Sequence, residues 1–372
     1  MALDRTLVYL DSASLAPPTA EAILAMSLAA RESWGNPRSL HAIGGRAARA
    51  LEEARQQVAD YVDTAAHEIV FVASGTCALS RAFALALARL PAGGTVAGSR
   101  LDHPALQALV EAASRAGHDV RWLSLPEGVP SDEDRATLAA ASLVALSACN
   151  HEMGTLLALD AVSPGALRVI DAVQAAPWIS LAPLADARTY YAVSGAKLGA
   201  PQGVGVLRVP GAVFHAARDA GAPLEGDSPP WLAAIGLGAS CAARSATRDA
   251  ALERARALAS RLVLGLQEID PAVAINGAPS ARLGPIVSAS FPGVAGKALV
   301  TALSMRGVCI SHTAACQSRR IDASPVVRAA YPGAPERAVG ATRWSVSEHL
   351  DDAAIDRALD AARDAWRSLG PR

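Results

Sequence analysis

The chain has 372 residues, of which 51% are hydrophobic, 4% aromatic and 19% charged, and its formal net charge is −1. This length and apolar content predict about two domains with an ample core and exclude a disordered chain. A charge near zero, with no basic stripe or acidic tail, gives no support for a nucleic-acid or polyanion partner and leaves a small molecule or a protein as the expected substrate.

The opening MALDRTLVYLDSAS passes within ten residues into a strand-like run and a polar turn. It lacks the basic head, apolar core and small-residue site of an export signal. No window reaches about 18 uninterrupted apolar residues, so no membrane span is expected. The five cysteines (Cys77, Cys149, Cys241, Cys309, Cys316) are scattered and form no Cys-x-x-Cys pair. That pattern disfavours a disulfide framework and a zinc site, so no metal is expected and a reduced cytoplasm is the expected location.

Strand-length apolar runs then alternate with helical patterns: EIVFVAS and CALSRAFALALARL, TVAGS and PALQALVEAASRAG, SLVALSAC, LRVID, YYAVS and GVGVLRV. Such alternation predicts an α/β fold in which helices cover a sheet. Past residue 245 the register changes to one long amphipathic helix, TRDAALERARALASRLVLGLQEI, followed by fewer strands. A second, smaller domain is expected there, and the opening strand is a candidate to join it because termini often lie together at a domain edge. The expected division is 13–248 for a large domain and 1–12 with 249–372 for a small one.

The most informative stretch is TYYAVSGAKLGAPQGVGVLRV, in which Lys197 stands among small and apolar residues between two expected strands. Partial desolvation there disfavours the ammonium and makes the amine available as a Schiff-base nucleophile. A lysine that reaches solvent from a glycine-rich loop is the plainer alternative. LRVID ends a strand on Asp171, with Gln174 three residues on, and Lys197 follows about one strand spacing later. Both fall near the carboxyl ends of strands, where open α/β sheets bind ligands. A carboxylate for a pyridinium nitrogen beside a reactive lysine is what pyridoxal phosphate requires, although Asp171 could equally be an ordinary helix cap.

Upstream, EIVFVAS runs into Ser74-Gly75-Thr76-Cys77 and then a helix, which makes either a phosphate cradle or a common cap. His103 opens the helix after TVAGS and could lie on a cofactor ring or be merely structural. In GVCISHTAACQSRRIDAS, Cys316 follows a strand in a basic segment, where Arg319, Arg320 and His312 would favour its thiolate; an incidental loop cysteine is the alternative. Arg343, in ATRWSVSEH, has the planar fork that suits a carboxylate.

Taken in order, these segments resemble the NifS/IscS-like cysteine desulfurases of the class V aminotransferase family, fold-type I pyridoxal-phosphate enzymes. The resemblance rests on Tyr9-Leu10-Asp11, Gly35-Asn36-Pro37 with Ser39 and His41, Ser74-Gly75-Thr76, Asp102-His103-Pro104 and Asn150-His151-Glu152-Met153-Gly154-Thr155. It continues through Asp171-Ala172-Val173-Gln174, Ser194-Gly195-Ala196-Lys197, Ala315-Cys316-Gln317-Ser318 and Thr342-Arg343-Trp344-Ser345. It implies a large, mainly parallel-sheet domain, a smaller α+β domain, a homodimer, and pyridoxal 5'-phosphate as cofactor. By the same resemblance Lys197 carries the cofactor and shuttles the proton at Cα, Asp171 holds the pyridine nitrogen, Gln174 and His151 approach the ring oxygen, and His103 stacks on the ring and assists proton transfer. Gly75, Thr76, Cys77 and Ser194 would take the phosphate. Arg343 and Asn36 would bind substrate, L-cysteine, whose sulfur Cys316 would accept as a persulfide and pass to an acceptor protein.

Three departures stand out. Ala196 occupies the position of the family's phosphate-binding histidine, His151 replaces the second asparagine of Asn-Asn-Glu, and GAPLEGDSPPWLAAIGLG stands where a threonine segment reaches the partner subunit's phosphate. These departures keep two other readings open: a different pyridoxal-phosphate reaction such as a C–S lyase, and a non-catalytic scaffold that binds a partner.

Overall fold

A computed structural model describes residues 7–157, 159–222, 224–225, 229–313 and 322–370. Its strands are β1 (Val8–Tyr9), β2 (Ile69–Val72), β3 (Thr95–Ser99), β4 (Asp119–Leu123), β5 (Leu143–Ser147), β6 (Leu167–Asp171), β7 (Thr189–Ser194) and β8 (Gly205–Arg208), followed by β9 (Ala274–Asn276), β10 (Ile286–Ser290), β11 (Val308–Cys309) and β12 (Ala341–Ser345). Seven of them form one sheet in the order β2-β8-β7-β6-β5-β3-β4. Only β8 runs against its neighbours; β3 to β7 pair in parallel. β5 and β8 are buried along their whole length, as expected for strands covered on both faces.

Helices Gly75–Leu87 and Pro104–Arg115 pack on one face, where Ala78, Leu79, Ala82, Phe83, Leu106 and Val110 meet Val70, Val96, Val169 and Leu207. The other face buries Phe71, Ile170, Tyr191 and Val206 against Leu51, Val58 and Tyr61 of helix Ala42–Val62 and Leu237 of helix Trp231–Ser245. Because β2, β3, β5, β6 and β7 point the same way, the turns that follow them converge on one edge.

The remaining strands are separate. β9, β10 and β12 form an antiparallel sheet, and β1 pairs in parallel with β11, so the N-terminal strand joins the part of the chain past residue 245. The long helix expected past residue 245 spans Arg248–Ile269 and packs with helix Asp352–Leu369. Close approach is built in: a Cβ on Gly265 would sit 2.3 Å from Leu359 Cδ1. Leu258, Leu262, Phe291, Trp344, Ile355 and Leu359 form the core of this part. Among the described residues no helix is long and apolar enough to cross a membrane.

Candidate functional site

A cavity of about 270 Å³ opens at the edge where the parallel strands end. It is lined by Ala13, Ser14, Ser74, Gly75, Thr76, Leu79, His103, Cys149, His151, Asp171, Val173, Gln174, Ser194, Lys197 and Arg343. Most come from the turns that follow the parallel strands, while Leu79 projects from within the helix Gly75–Leu87 and Arg343 from the middle of β12. The extended residue Ser74 caps the helix Gly75–Leu87, its hydroxyl accepting from Cys77 N–H at 3.1 Å. This presents the positive helix end, Gly75 and Thr76 to the cavity. Gly75 is a close approach, since a Cβ there would lie 3.0 Å from Val173 Cγ2 and 3.2 Å from Ser194 Cβ.

Asp171, the last residue of β6, is buried and accepts from Val173 N–H at 3.0 Å. Burial pushes its carboxyl up to about 6, while Lys197 pulls the other way. Lys197 ends a short turn of 3-10 helix after β7, and its Nζ donates to Ser14 O. Gln174 is buried and spends its amide N–H on Ala13 O at 2.8 Å. His103 caps helix Pro104–Arg115, its Nδ1 accepting from Ala105 N–H at 3.2 Å. Burial, Lys197 and Arg343 hold it below the ordinary imidazole range.

His151 is held by a loop that Asn150 builds. The Asn150 side-chain oxygen accepts from Glu152 and Met153 N–H at 2.9 and 2.8 Å, and its Nδ2 donates to Leu101 O at 2.7 Å. Gly154 closes the loop at φ +68°, where a side chain would be strained. His151 meets His103 edge to face at 5.2 Å between ring centres.

Arg343, on β12, is 3% exposed and already engaged. Its Nη2 donates to Asp11 Oδ1 (2.9 Å) and Ser14 Oγ (2.5 Å), and its Nη1 to His151 O (2.9 Å). Asp11 also accepts from Ser14 Oγ and Ser311 Oγ, each at 2.8 Å. Asp11 and Ser14 are the site residues for which sequence reasoning named no role. Their only trace there is a carboxylate and a hydroxyl three positions apart after a short strand. Asp102 was likewise unassigned: it is buried, burial pushes its carboxyl up to about 7, and its Oδ2 has no hydrogen-bond partner among the described residues.

Two expected site residues do not line the cavity. Asn36 is exposed and its side chain accepts from Arg38 N–H at 2.9 Å, which makes it a local turn former. Cys77 lies in the first turn of the helix but outside the lining. Cys316 lies outside the described residues. Cys149 does line the cavity, but burial pushes its thiol up to about 12 and leaves it inert. Among the described residues no group of three or more His, Cys, Asp or Glu side chains could hold a metal ion.

Residues 8–333 match the model of the family described as aminotransferase class-V. The chain belongs to the class-V aminotransferase family. Members of this family use pyridoxal phosphate, and the cavity fits that group: a helix N-terminus for an anion, a buried carboxylate, an amine, and lining residues His151 and Arg343, each with a buried polar atom that has no partner among the described residues. Among curated relatives of this class-V chain is cysteine desulfurase 2 of Trichormus variabilis, 30% identical over 369 residues, covering 95% of the chain and 92% of its own length. A cysteine desulfurase of Sinorhizobium fredii is 31% identical over 371 residues, covering 95% and 94%. NifS of Azotobacter vinelandii is 29% identical over 373 residues, covering 95% and 90%. Among solved structures, a NifS-like protein superposes with a TM-score of 0.84 at 23% identity, covering 98% of this chain and 100% of its own. The apo cysteine desulfurase of Thermococcus onnurineus does so at 0.84 and 19%, covering 98% and 95%. These two show that the fold is shared.

Proposed function

We propose that this protein is a pyridoxal-phosphate-dependent cysteine desulfurase that converts L-cysteine to L-alanine and carries the sulfur away as a persulfide on Cys316. The observation that carries this reading is the convergence of Lys197, Asp171, His103 and Arg343 on one cavity at a helix N-terminus. Relatives named cysteine desulfurase, alike over almost the whole chain, supply the substrate.

When bound, pyridoxal phosphate supplies an electron sink for the pair released at the substrate's α-carbon. Lys197 holds the cofactor and moves the proton at that carbon. Asp171, kept from water, keeps the proton on the pyridine nitrogen. Gly75, Thr76 and Ser194 hold the phosphate, with the buried Ala196 adding no hydrogen bond. Arg343 orients the substrate carboxylate, and because Asp11 and Ser14 already occupy its Nη2, substrate shares that fork. The Cys316 thiolate attacks the substrate sulfur: the S–S bond forms as the substrate's Cβ–S bond breaks, and the electron pair of that bond stays with the carbon skeleton, which takes up a proton and leaves as alanine. The outer sulfur of the persulfide passes to an acceptor protein.

We further propose a cytoplasmic homodimer with a large unit of residues 13–248 and a small unit of 1–12 with 249–372. Ile23, Leu24 and Leu28 on helix Ala20–Glu32, with Trp34 and Leu40 beyond it, leave apolar surface exposed that a second copy would cover.

Anaerobic incubation of the cofactor-loaded protein with L-cysteine and a reductant is expected to release equal amounts of alanine and sulfide. Failure to do so with cofactor bound overturns the reading. Cys316→Ser is expected to abolish sulfide release and leave the visible absorbance of the lysine-linked cofactor unchanged; full activity in that variant indicates a C–S lyase instead.

A further inference from the structure

Arg343 meets an anion entering the cavity with both N–H groups of its Nη2 already spent, one on Asp11 Oδ1 at 2.9 Å and one on Ser14 Oγ at 2.5 Å. A carboxylate that reaches Nη2 must therefore displace one of these two acceptors. Asp11 is held hard: its Oδ1 also accepts from the Ser14 and Ser311 hydroxyls, each at 2.8 Å, and pulling it away would leave the buried guanidinium without its anion. Ser14 is neutral and half-buried, it lines the cavity, and its hydroxyl is a rotor with one proton to give and two lone pairs. Its main chain is fixed separately, because Ser14 N–H donates to Asp11 O at 2.9 Å and Ser14 O accepts from Lys197 Nζ. The hydroxyl is therefore free to turn while the backbone stays. One residue thus touches Lys197 through its carbonyl and Arg343 through its hydroxyl, the two side chains that meet the amine end and the carboxylate end of an amino acid in the proposed function.

Resting on the proposed function, we propose that Ser14 is a second carboxylate-binding residue of this cavity: its hydroxyl turns from Asp11 to donate to the substrate carboxylate and gives up the Arg343 N–H, which that carboxylate then accepts. The exchange conserves hydrogen bonds. Two are broken, Ser14 to Asp11 and Arg343 to Ser14, and two form on the incoming anion. Asp11 keeps the Ser311 hydroxyl and the other Nη2 N–H, so its ion pair with Arg343 survives and neither buried charge is stranded. With Asp11 still offsetting the arginine's charge, the added O–H donor carries a share of the recognition that the guanidinium alone does not supply.

The test compares Ser14→Ala, which removes the hydroxyl, with Ser14→Thr, which keeps one. In the cofactor-loaded proteins, binding of L-alanine and of ethylamine, the same molecule without its carboxylate, is measured by calorimetry. Ser14→Ala is expected to weaken L-alanine about tenfold and to leave ethylamine unchanged, and Ser14→Thr to recover most of the loss. Unaltered L-alanine binding in Ser14→Ala overturns the proposal. Tighter L-alanine binding overturns it too, because Ser14 would then only compete with the carboxylate for Nη2. An equal loss for L-alanine and ethylamine marks a structural role and likewise overturns it. Neither ligand contains sulfur, and release of sulfide and alanine from L-cysteine is scored separately, so failure of the desulfurase reading is distinguishable from failure of this one.

Discussion

Asp102 and Asp171 are two buried carboxyls, one in the turn after β3 and the other at the end of β6, and burial raises both, to about 7 and about 6. The folded state therefore binds protons more tightly than the unfolded chain, in which an aspartate titrates near its ordinary value of about 3.9. Their contribution to stability is full below that value and is lost as pH rises to 6 and 7, because the ionised form must then stay buried. In the cofactor-free protein, Asp102→Asn removes the Asp102 part of this penalty, so its melting temperature relative to wild type is expected to climb between about pH 4 and 7. A difference that is flat or falls with pH would show that Asp102 is ionised without cost. The cysteines divide on the same physical ground: the buried Cys149 is expected to resist alkylation in the native protein and to react once the chain is unfolded.

Among the elements, the reversed strand β8 shapes the site although it contributes no side chain to the cavity. It lies between β2 and β7, and Gly205 at its start passes so close to the preceding turn that a Cβ would stand 2.3 Å from the Ser74 carbonyl carbon. The contact is backbone and cannot swing aside. Gly205→Ala is therefore expected to push the Ser74-Gly75 turn outward, costing about 1–3 kcal/mol of stability and loosening the cofactor. Denaturant unfolding and equilibrium dialysis of pyridoxal phosphate check the two effects. The Asn150 loop works similarly: two backbone N–H groups on one side-chain oxygen and a glycine at positive φ hold His151 in place.

Over the whole molecule, Arg343 and Asp11 tie the parts together. Asp11 follows β1, bridges to Ser345 and accepts from Arg343, Ser14 and Ser311, while Arg343 reaches His151 O beyond the small sheet. Asp11→Ala leaves a buried guanidinium without its anion and is expected to lower unfolding free energy by about 3 kcal/mol, read by urea titration. The pattern of apolar runs made the α/β sheet, the long helix at Arg248–Ile269 and the convergence of Lys197, Asp171, Thr76 and His103 legible in the sequence, because strand ends of a parallel sheet must share an edge. Residue order also carried the family, through short motifs whose chemistry is local. It could not show that Arg343 is shared with Asp11 and Ser14, that Asp102 is buried with one oxygen lacking a partner among the described residues, that Asn36 lies outside the cavity, or that His151 and His103 meet edge to face beside it. Each of these depends on which group desolvates or pairs with another across segments distant in the chain. A sequence fixes the kind of side chain at each position, whereas its charge state and free lone pairs are set by neighbours that only folding brings within reach.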